Sequence, residues 1–218
     1  MKITDVEAIY LRLPEVKRQC DSGQDALIVR VSTDAGITGI GPGMHPMFVE
    51  GVRQHLVGKS AFDIEQHAAS LKYYVPSLPY QGYVGVDIAL WDIIGKAANL
   101  PLYRLWDGGK DKLSPYASMV RLSTPEERAE LVSSLSDDGW QAIKLRLHHE
   151  TIVDDIRTVE ATREAVGGKM TIMVDGNQAQ SGGDWQPGVR WSFQRAYETA
   201  VELQDLDVYW LEEPLGRH

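Results

Sequence analysis

An antiparallel α+β domain followed by βα units on a parallel sheet is the fold class this sequence predicts, and three observations carry it. Short alternating strands crowd the N-terminal part, and strands alternate with longer helices after about residue 115. Between them lies residues 106–115 (WDGGKDKLSP), with paired glycines, charges and a proline, which reads as a linker. The domains implied are 1–110 and 111–218.

Residues 2–13 (KITDVEAIYLRL) alternate apolar with polar side chains, the pattern of a half-exposed strand. Residues 26–33 (ALIVRVST) repeat it, Asp34, Ala35 and Gly36 supply turn chemistry, and 37–40 begin a third strand, which makes a hairpin. The intervening stretch 14–25 (PEVKRQCDSGQD) is too long for a simple hairpin. It is either a lid or binding loop or a passive surface connection. Helical periodicity occupies 46–69 and 82–98. In the latter Val84, Ile88, Trp91 and Gly95 recur at i, i+4, i+7 and i+11, and Asn99 with Pro101 marks the stop.

After the linker, 116–120 reads as a short strand. Thr124, Pro125, Glu126 and Glu127 form a helix start, with a cap, a proline at the first position and acids in the first turn. Strands are predicted at 142–147, 170–175 and 208–212, and helices at 152–166 and 191–203. A complete eight-unit barrel needs about 250 residues. Four strands and three helices form either a small doubly wound sheet or half of a larger barrel.

The 218 residues carry 22 Lys+Arg against 31 Asp+Glu, a net charge of −9. Nucleic acid and anionic membrane both reward clustered cations, so neither is expected as a partner. Hydrophobic residues at 43% and charged at 24% exclude wholesale disorder. The single cysteine, Cys20, excludes an internal disulfide framework. No apolar run reaches the roughly 18 residues of a membrane span, and the start is unlike a signal peptide. A soluble, cytoplasmic protein is expected.

Ligands of parallel α/β folds bind at the C-terminal ends of the strands. One such end reads Ile143-Lys144-Leu145-Arg146-Leu147, with Lys144 and Arg146 on one face by the two-residue period. The next reads Val174-Asp175-Gly176-Asn177-Gln178, and the last Trp210-Leu211-Glu212-Glu213-Pro214. Each alone has a bland reading: a solvated strand face, a helix cap, a turn. Together they place two cations beside two acids. A hard divalent cation such as Mg²⁺ takes carboxylate, water and substrate oxygens, and neighbouring cations would bind a carboxylate substrate or move protons.

These residues make the chain resemble the enolase superfamily, in its mandelate racemase/muconate lactonising enzyme branch. The stretch Gly85-Val86-Asp87-Ile88-Ala89-Leu90-Trp91-Asp92-Ile93-Ile94-Gly95-Lys96-Ala97, followed by Leu100-Pro101-Leu102-Tyr103 and Gly108-Gly109, is similar to a recognisable segment of that branch. The resemblance implies an α+β capping domain followed by the first half of a (β/α) TIM-type barrel. It implies Asp175 and Glu212 as Mg²⁺ ligands, Lys144 and Arg146 as catalytic groups, and Asn177 as a substrate contact. It also implies closure of the 15–25 loop over substrate, with Ser22 as a contact.

The chemistry implied is removal of the proton α to a carboxylate, with Mg²⁺ and lysine stabilising the charge that develops. Arg146 departs from the Lys-x-Lys form. Arginine is essentially always protonated, so it is an electrostatic clamp rather than a base. That favours dehydration of a sugar acid over two-base racemisation, with epimerisation and cycloisomerisation as alternatives within the branch, and a catalytically incomplete truncated or split member as a further one. Two further departures are Gly39-Ile40-Gly41-Pro42-Gly43, which lacks the branch's glutamate, and a glycine-rich stretch at 180–189 that either shapes the pocket or is passive. His148 and His149 follow the strand of Lys144 and Arg146 and either approach the site or, the commoner outcome, are exposed or helix-capping. The third metal ligand and opposite-face base of the family lie on later strands. The sequence therefore predicts open sheet edges, and with them self-association as a homo-oligomer or pairing with a complementary barrel half.

Overall fold

The structure is a computed structural model that describes residues 1–15, 25–74, 80–179 and 189–216. It divides into two compact units, Met1–Lys112 and Leu113–His218.

In the first unit β1 (Ile3–Leu11), β2 (Ala26–Thr33) and β3 (Thr38–Pro42) form an antiparallel sheet in the order β1-β2-β3. Gly36, at φ +75°, supplies the left-handed residue of the β2–β3 turn. Ile3, Val6, Val29 and Val31 are buried with residues of α1 (Val49–Leu56), α2 (Ile64–Tyr74) and α3 (Tyr80–Ala98). The helical pattern of 46–69 is interrupted. Gly58 turns the chain at φ +85°, and its N–H donates to the Ile3 carbonyl at 2.8 Å while Ile3 N–H donates to the Lys59 carbonyl at 2.9 Å. The break between α1 and α2 thus gives the start of β1 a pairing partner, which a continuous helix would withhold.

The segment that carries the family resemblance has a steric logic. A Cβ on Gly41 would lie 1.8 Å from the Gly85 carbonyl oxygen, and one on Gly39 would lie 1.9 Å from that of Ala89. Backbone of α3 therefore touches backbone of β3. The free edge of β3 is closed by α3 side chains: Asp92 accepts from Ile40 N–H at 2.9 Å, and Lys96 donates to the Thr38 carbonyl at 2.8 Å. Asn99, at φ 52°, ends the helix, and α4 (Leu102–Leu105) follows.

The second unit runs β4 (Ala117–Ser118), α5 (Pro125–Asp137), β5 (Ala142–Arg146), α6 (Ile152–Val166), β6 (Thr171–Asp175), α7 (Phe193–Asp205) and β7 (Leu211–Glu212). The strands are parallel in the order β4-β5-β6-β7. Thr124 and Glu127 close a reciprocal capping box at the start of α5. β4 and β7 are shorter than their sequence patterns, and each has one neighbour in this sheet. α7 begins after Trp191, because Ser192 caps it by accepting from Arg195 N–H at 3.1 Å; Trp191 is buried in the core instead.

Register then separates two faces. Ile143 pairs with Ile172 and Leu145 with Val174, and these four pack with Val132, Val159 and Leu203 of the three helices. The alternate positions pair Ser118 with Lys144, Lys144 with Met173, Arg146 with Asp175 and Asp175 with Glu212. The helix-facing side of the sheet is apolar. The other side gathers the charges.

Candidate active site

Lys144 stands at the centre of the polar face. Its Nζ donates to Asp175 Oδ2 at 3.0 Å and to Glu212 Oε2 at 2.9 Å, so one cation joins carboxylates from two neighbouring strands. The Lys144 and Asp175 side chains are only 12% and 10% exposed, and Glu212 is 39% exposed. Burial pulls the lysine toward its neutral form, but the hydrogen bonds to Glu212 and Asp175 outweigh it and hold its pKa above the ordinary value. The Tyr116 ring centroid lies 5.8 Å from Nζ.

Arg146 faces the same side and is held differently. Its Nε donates to Asn177 Oδ1 at 2.5 Å and its guanidinium also donates to the Val120 carbonyl after β4. Asn177 in turn donates its backbone N–H to Asp175 Oδ1 at 2.8 Å, which fixes the carboxylate whose other oxygen meets Lys144. The ends of β6 and β7 are knitted together: Gly176 N–H donates to the Glu212 carbonyl and Gln178 N–H to that of Glu213, each at 2.9 Å. Asn177 and Glu213 adopt left-handed backbone at φ 48° and 45° to do so.

The structure therefore brings Lys144, Arg146, Asp175, Asn177 and Glu212 to one end of one sheet face. Ser22 and residues 16–24 of the long loop lie outside the described residues, as do 180–188 of the glycine-rich stretch. At the loop's base, Asp25 accepts from Leu13 N–H at 3.0 Å and from the Tyr10 hydroxyl. Two oxygen donors converge here. No cluster of three or more His, Cys, Asp and Glu suited to a metal occurs among the described residues. The hard oxygens of Asp175 and Glu212, already sharing an ammonium cation, fit a hard divalent ion that draws its remaining ligands from water or substrate.

The exposed or capping alternative is corrected for His148: it lies two residues beyond Arg146 and is buried, at 5% exposure. Burial, reinforced by the nearby Arg146 charge, depresses its pKa to about 4. His149 is half-buried, and its backbone N–H and Nδ1 both reach Asp155 Oδ1, at 3.0 and 2.8 Å. Asp155 is fully buried and also accepts from Arg195 at 2.7 Å, while Arg195 donates to the carbonyls of His149 and Glu150. Sequence reasoning missed this network. One signal was present: Arg195 sits in the first turn of α7, where the helix dipole disfavours a cation unless an acid is near. A cavity of about 830 Å³ between the start of α5 and α6, lined by Ser123, Glu127, Asp154 and Arg157 among others, lies away from the converging charges.

No helix is long and apolar enough to cross a membrane among the described residues. Residues 15–106 match the mandelate racemase / muconate lactonizing enzyme N-terminal domain, and residues 126–218 match the enolase C-terminal domain-like family. An N-succinyl-L-Arg/Lys racemase of Bacillus cereus is 28% identical over 234 residues, taking in 99% of this chain and 60% of that protein. A D-xylonate dehydratase of Haloferax volcanii is 27% identical, over 98% of this chain and 54% of the relative. The crystal structure of a racemase from Streptomyces coelicolor A3(2) with bound magnesium superimposes with a TM-score of 0.80 at 25% identity, over 98% of this chain and 62% of that one. The chain thus spans between 54% and 62% of the length of these three. The antiparallel sheet with its helices, the four parallel strands that follow as part of a TIM-type barrel, and the two adjoining family matches lead to one conclusion: the chain belongs to the mandelate racemase/muconate lactonizing enzyme branch of the enolase superfamily.

Proposed function

We propose that the chain carries the cation-binding and part of the acid–base machinery of an enzyme that removes the α-proton of a carboxylate substrate, and that the substrate is a sugar acid undergoing dehydration. The observation that carries this reading is the convergence of Lys144, Asp175 and Glu212 at the C-terminal ends of three adjacent parallel strands. Asp175 and Glu212 are the residues that would hold Mg²⁺, which when bound stabilises negative charge on the substrate's carboxylate oxygens. Lys144 supplies a positive charge against the same developing charge. Asn177 is held beside these carboxylates by Arg146 and by Asp175, and is proposed as a substrate contact. Ser22 is proposed as a further substrate contact.

Dehydration is favoured over racemisation because of Arg146. A racemase needs a base on each face of the α-carbon, and a guanidinium, which stays protonated, does not serve as one. Arg146 is the proposed electrostatic clamp of this face. The racemase, epimerase and cycloisomerase relatives keep racemisation, epimerisation and cycloisomerisation as the alternatives. The proposed location is the cytoplasm, and the proposed assembly is a homo-oligomer or a pairing with a complementary barrel half. A solution mass above that of one chain, from light scattering, is the expected result.

The test is incubation with a panel of aldonic and aldaric acids in D₂O, with and without Mg²⁺. Loss of the α-proton and formation of 2-keto-3-deoxy acids are expected, and Lys144→Ala lowers turnover by about 10²–10³-fold. Deuterium incorporation without loss of water would shift the reading to epimerisation. No exchange with any acid in the assembled protein would overturn it.

A further inference from the structure

The two cations of the polar face are held in unequal ways. Arg146 is fixed through Nε by Asn177 and through its terminal nitrogen by the Val120 carbonyl, and is 7% exposed. Lys144 instead donates to Asp175 and Glu212, through the end of a flexible four-carbon stem. Two carboxylates and two cations also leave this part of the sheet with no net charge of its own.

A divalent ion held by both carboxylates would need the space between them, where Lys144 Nζ now contacts one oxygen of each at 2.9–3.0 Å. Two cations so close repel, most strongly on the Asp175 side, where the Lys144 and Asp175 side chains are 12% or less exposed. One must leave, and the tethering of Arg146 decides which.

We infer that Lys144 is an internal competitor for the divalent ion: it bridges Asp175 and Glu212 until the ion binds, is displaced by it, and is thereby released to meet the substrate carboxylate. Tyr116 offers the displaced ammonium an aromatic face on the β4 side. Cation binding then precedes productive substrate binding, and the affinity for the ion is set by the lysine as well as by the carboxylates. This inference rests on the assignment of Asp175 and Glu212 as the cation's ligands.

Calorimetric titration of Mn²⁺ and Mg²⁺ into the full chain and its variants tests it. Lys144→Met removes the competing charge while keeping much of the stem, and is expected to bind either ion at least ten-fold more tightly. Lys144→Arg, which keeps a charge, is expected to show no such gain. Equal affinity in the wild-type and Met chains overturns the competition and leaves the ligand assignment standing. Absence of binding in every chain overturns both. A measurement on the unmutated chain guards against misfolding of the variants: acetylation of Lys144, followed by mass spectrometry, should run several-fold faster with saturating Mg²⁺ than without, while the exposed Lys59 reacts equally in both. A Lys144 rate unchanged or slowed by Mg²⁺ would overturn the inference.

Discussion

The two sheets handle charge in opposite ways. On the antiparallel sheet, ion pairs such as Arg30–Glu7 and Arg53–Asp5 lie in solvent, with side chains 38–44% exposed. In the second unit, Lys144 and Asp175 on the parallel strands and Asp155 and Arg195 on α6 and α7 keep 16% or less of their side chains exposed, and Glu212 reaches 39%. Burying charge costs several kcal/mol per ion, and folding alone does not require it. The first sheet spends its close contacts on backbone packing against α3. The second holds converging charges at the strand ends, where this fold type binds ligands.

The largest expected effect comes from cutting a buried pair in the second unit. Asp155→Ala leaves Arg195 and His149 without their shared acceptor, and should cost about 3–5 kcal/mol. Denaturant melts give the value. If the double variant Asp155→Leu/Arg195→Leu recovers most of the loss, the network is a matter of charge pairing; if it does not, the hydrogen bonds from Arg195 to the His149 and Glu150 carbonyls are what matter. A loss below 1 kcal/mol would erase the contrast between the sheets.

In the first unit the comparable weak point is steric. Gly41→Ala would place a Cβ 1.8 Å from the Gly85 carbonyl oxygen, where both partners are backbone and neither can turn aside. Overpacking of this kind is expected to cost about 3 kcal/mol. Gly36→Ala is the control: it meets no atom within 4 Å, although its φ of +75° still carries a strain of about 1 kcal/mol. Similar losses in the two variants would mean that backbone contact between α3 and β3 is not what the glycines secure.

The comparison also marks what was readable in the amino-acid order. Period-two alternation put Lys144 and Arg146 on one face and Ile143 and Leu145 on the other, because the pleat enforces it. Strand-end acids at Asp175 and Glu212 followed from the same logic. Which nitrogen meets which oxygen did not, since Lys144 and Arg146 are equally placed by periodicity and only the positions of Asn177 and Val120 set them apart. The break at Gly58 was hidden for a related reason: helical spacing continues on both sides of it, and pairing with Met1–Ile3 interrupts it. Asp155 is one of two acids in the first turn of α6, and nothing local tells which of them a later helix will bury.

Adjacent histidines give an intermediate effect of opposite signs. Asp155 holds the His149 pKa above its ordinary value, so its stabilising share is complete below about pH 6.5 and is lost as pH rises through the raised value. His148, depressed to about 4 by burial and then by Arg146, stays neutral in the fold while the unfolded chain protonates. Stability should therefore fall as pH drops from about 6.5 to about 4. Thermal melts across pH 4–9 should show His148→Gln flattening the acid limb and His149→Gln flattening the alkaline one. Each kcal/mol corresponds to about 2–4 °C in Tm for a chain of this size. The same curve in all three proteins would show that neither histidine changes its protonation on folding.

The smallest effect should come from the exposed pairs. Arg30 reaches Glu7 across the β1–β2 register with Nε 2.6 Å from Oε2, a good geometry, yet both side chains are well solvated. Solvent screening and the entropy of fixing two long side chains limit such pairs to about 0.2–1 kcal/mol. A double-mutant cycle of Arg30→Ala and Glu7→Ala isolates the coupling from the cost of losing either stem, which in Arg30 also covers part of the sheet. The coupling should shrink further in 1 M salt, where the Debye length is about 3 Å. A coupling above 2 kcal/mol that survives salt would mean the antiparallel sheet, too, stores stability in charge, and the division of labour between the sheets would no longer hold.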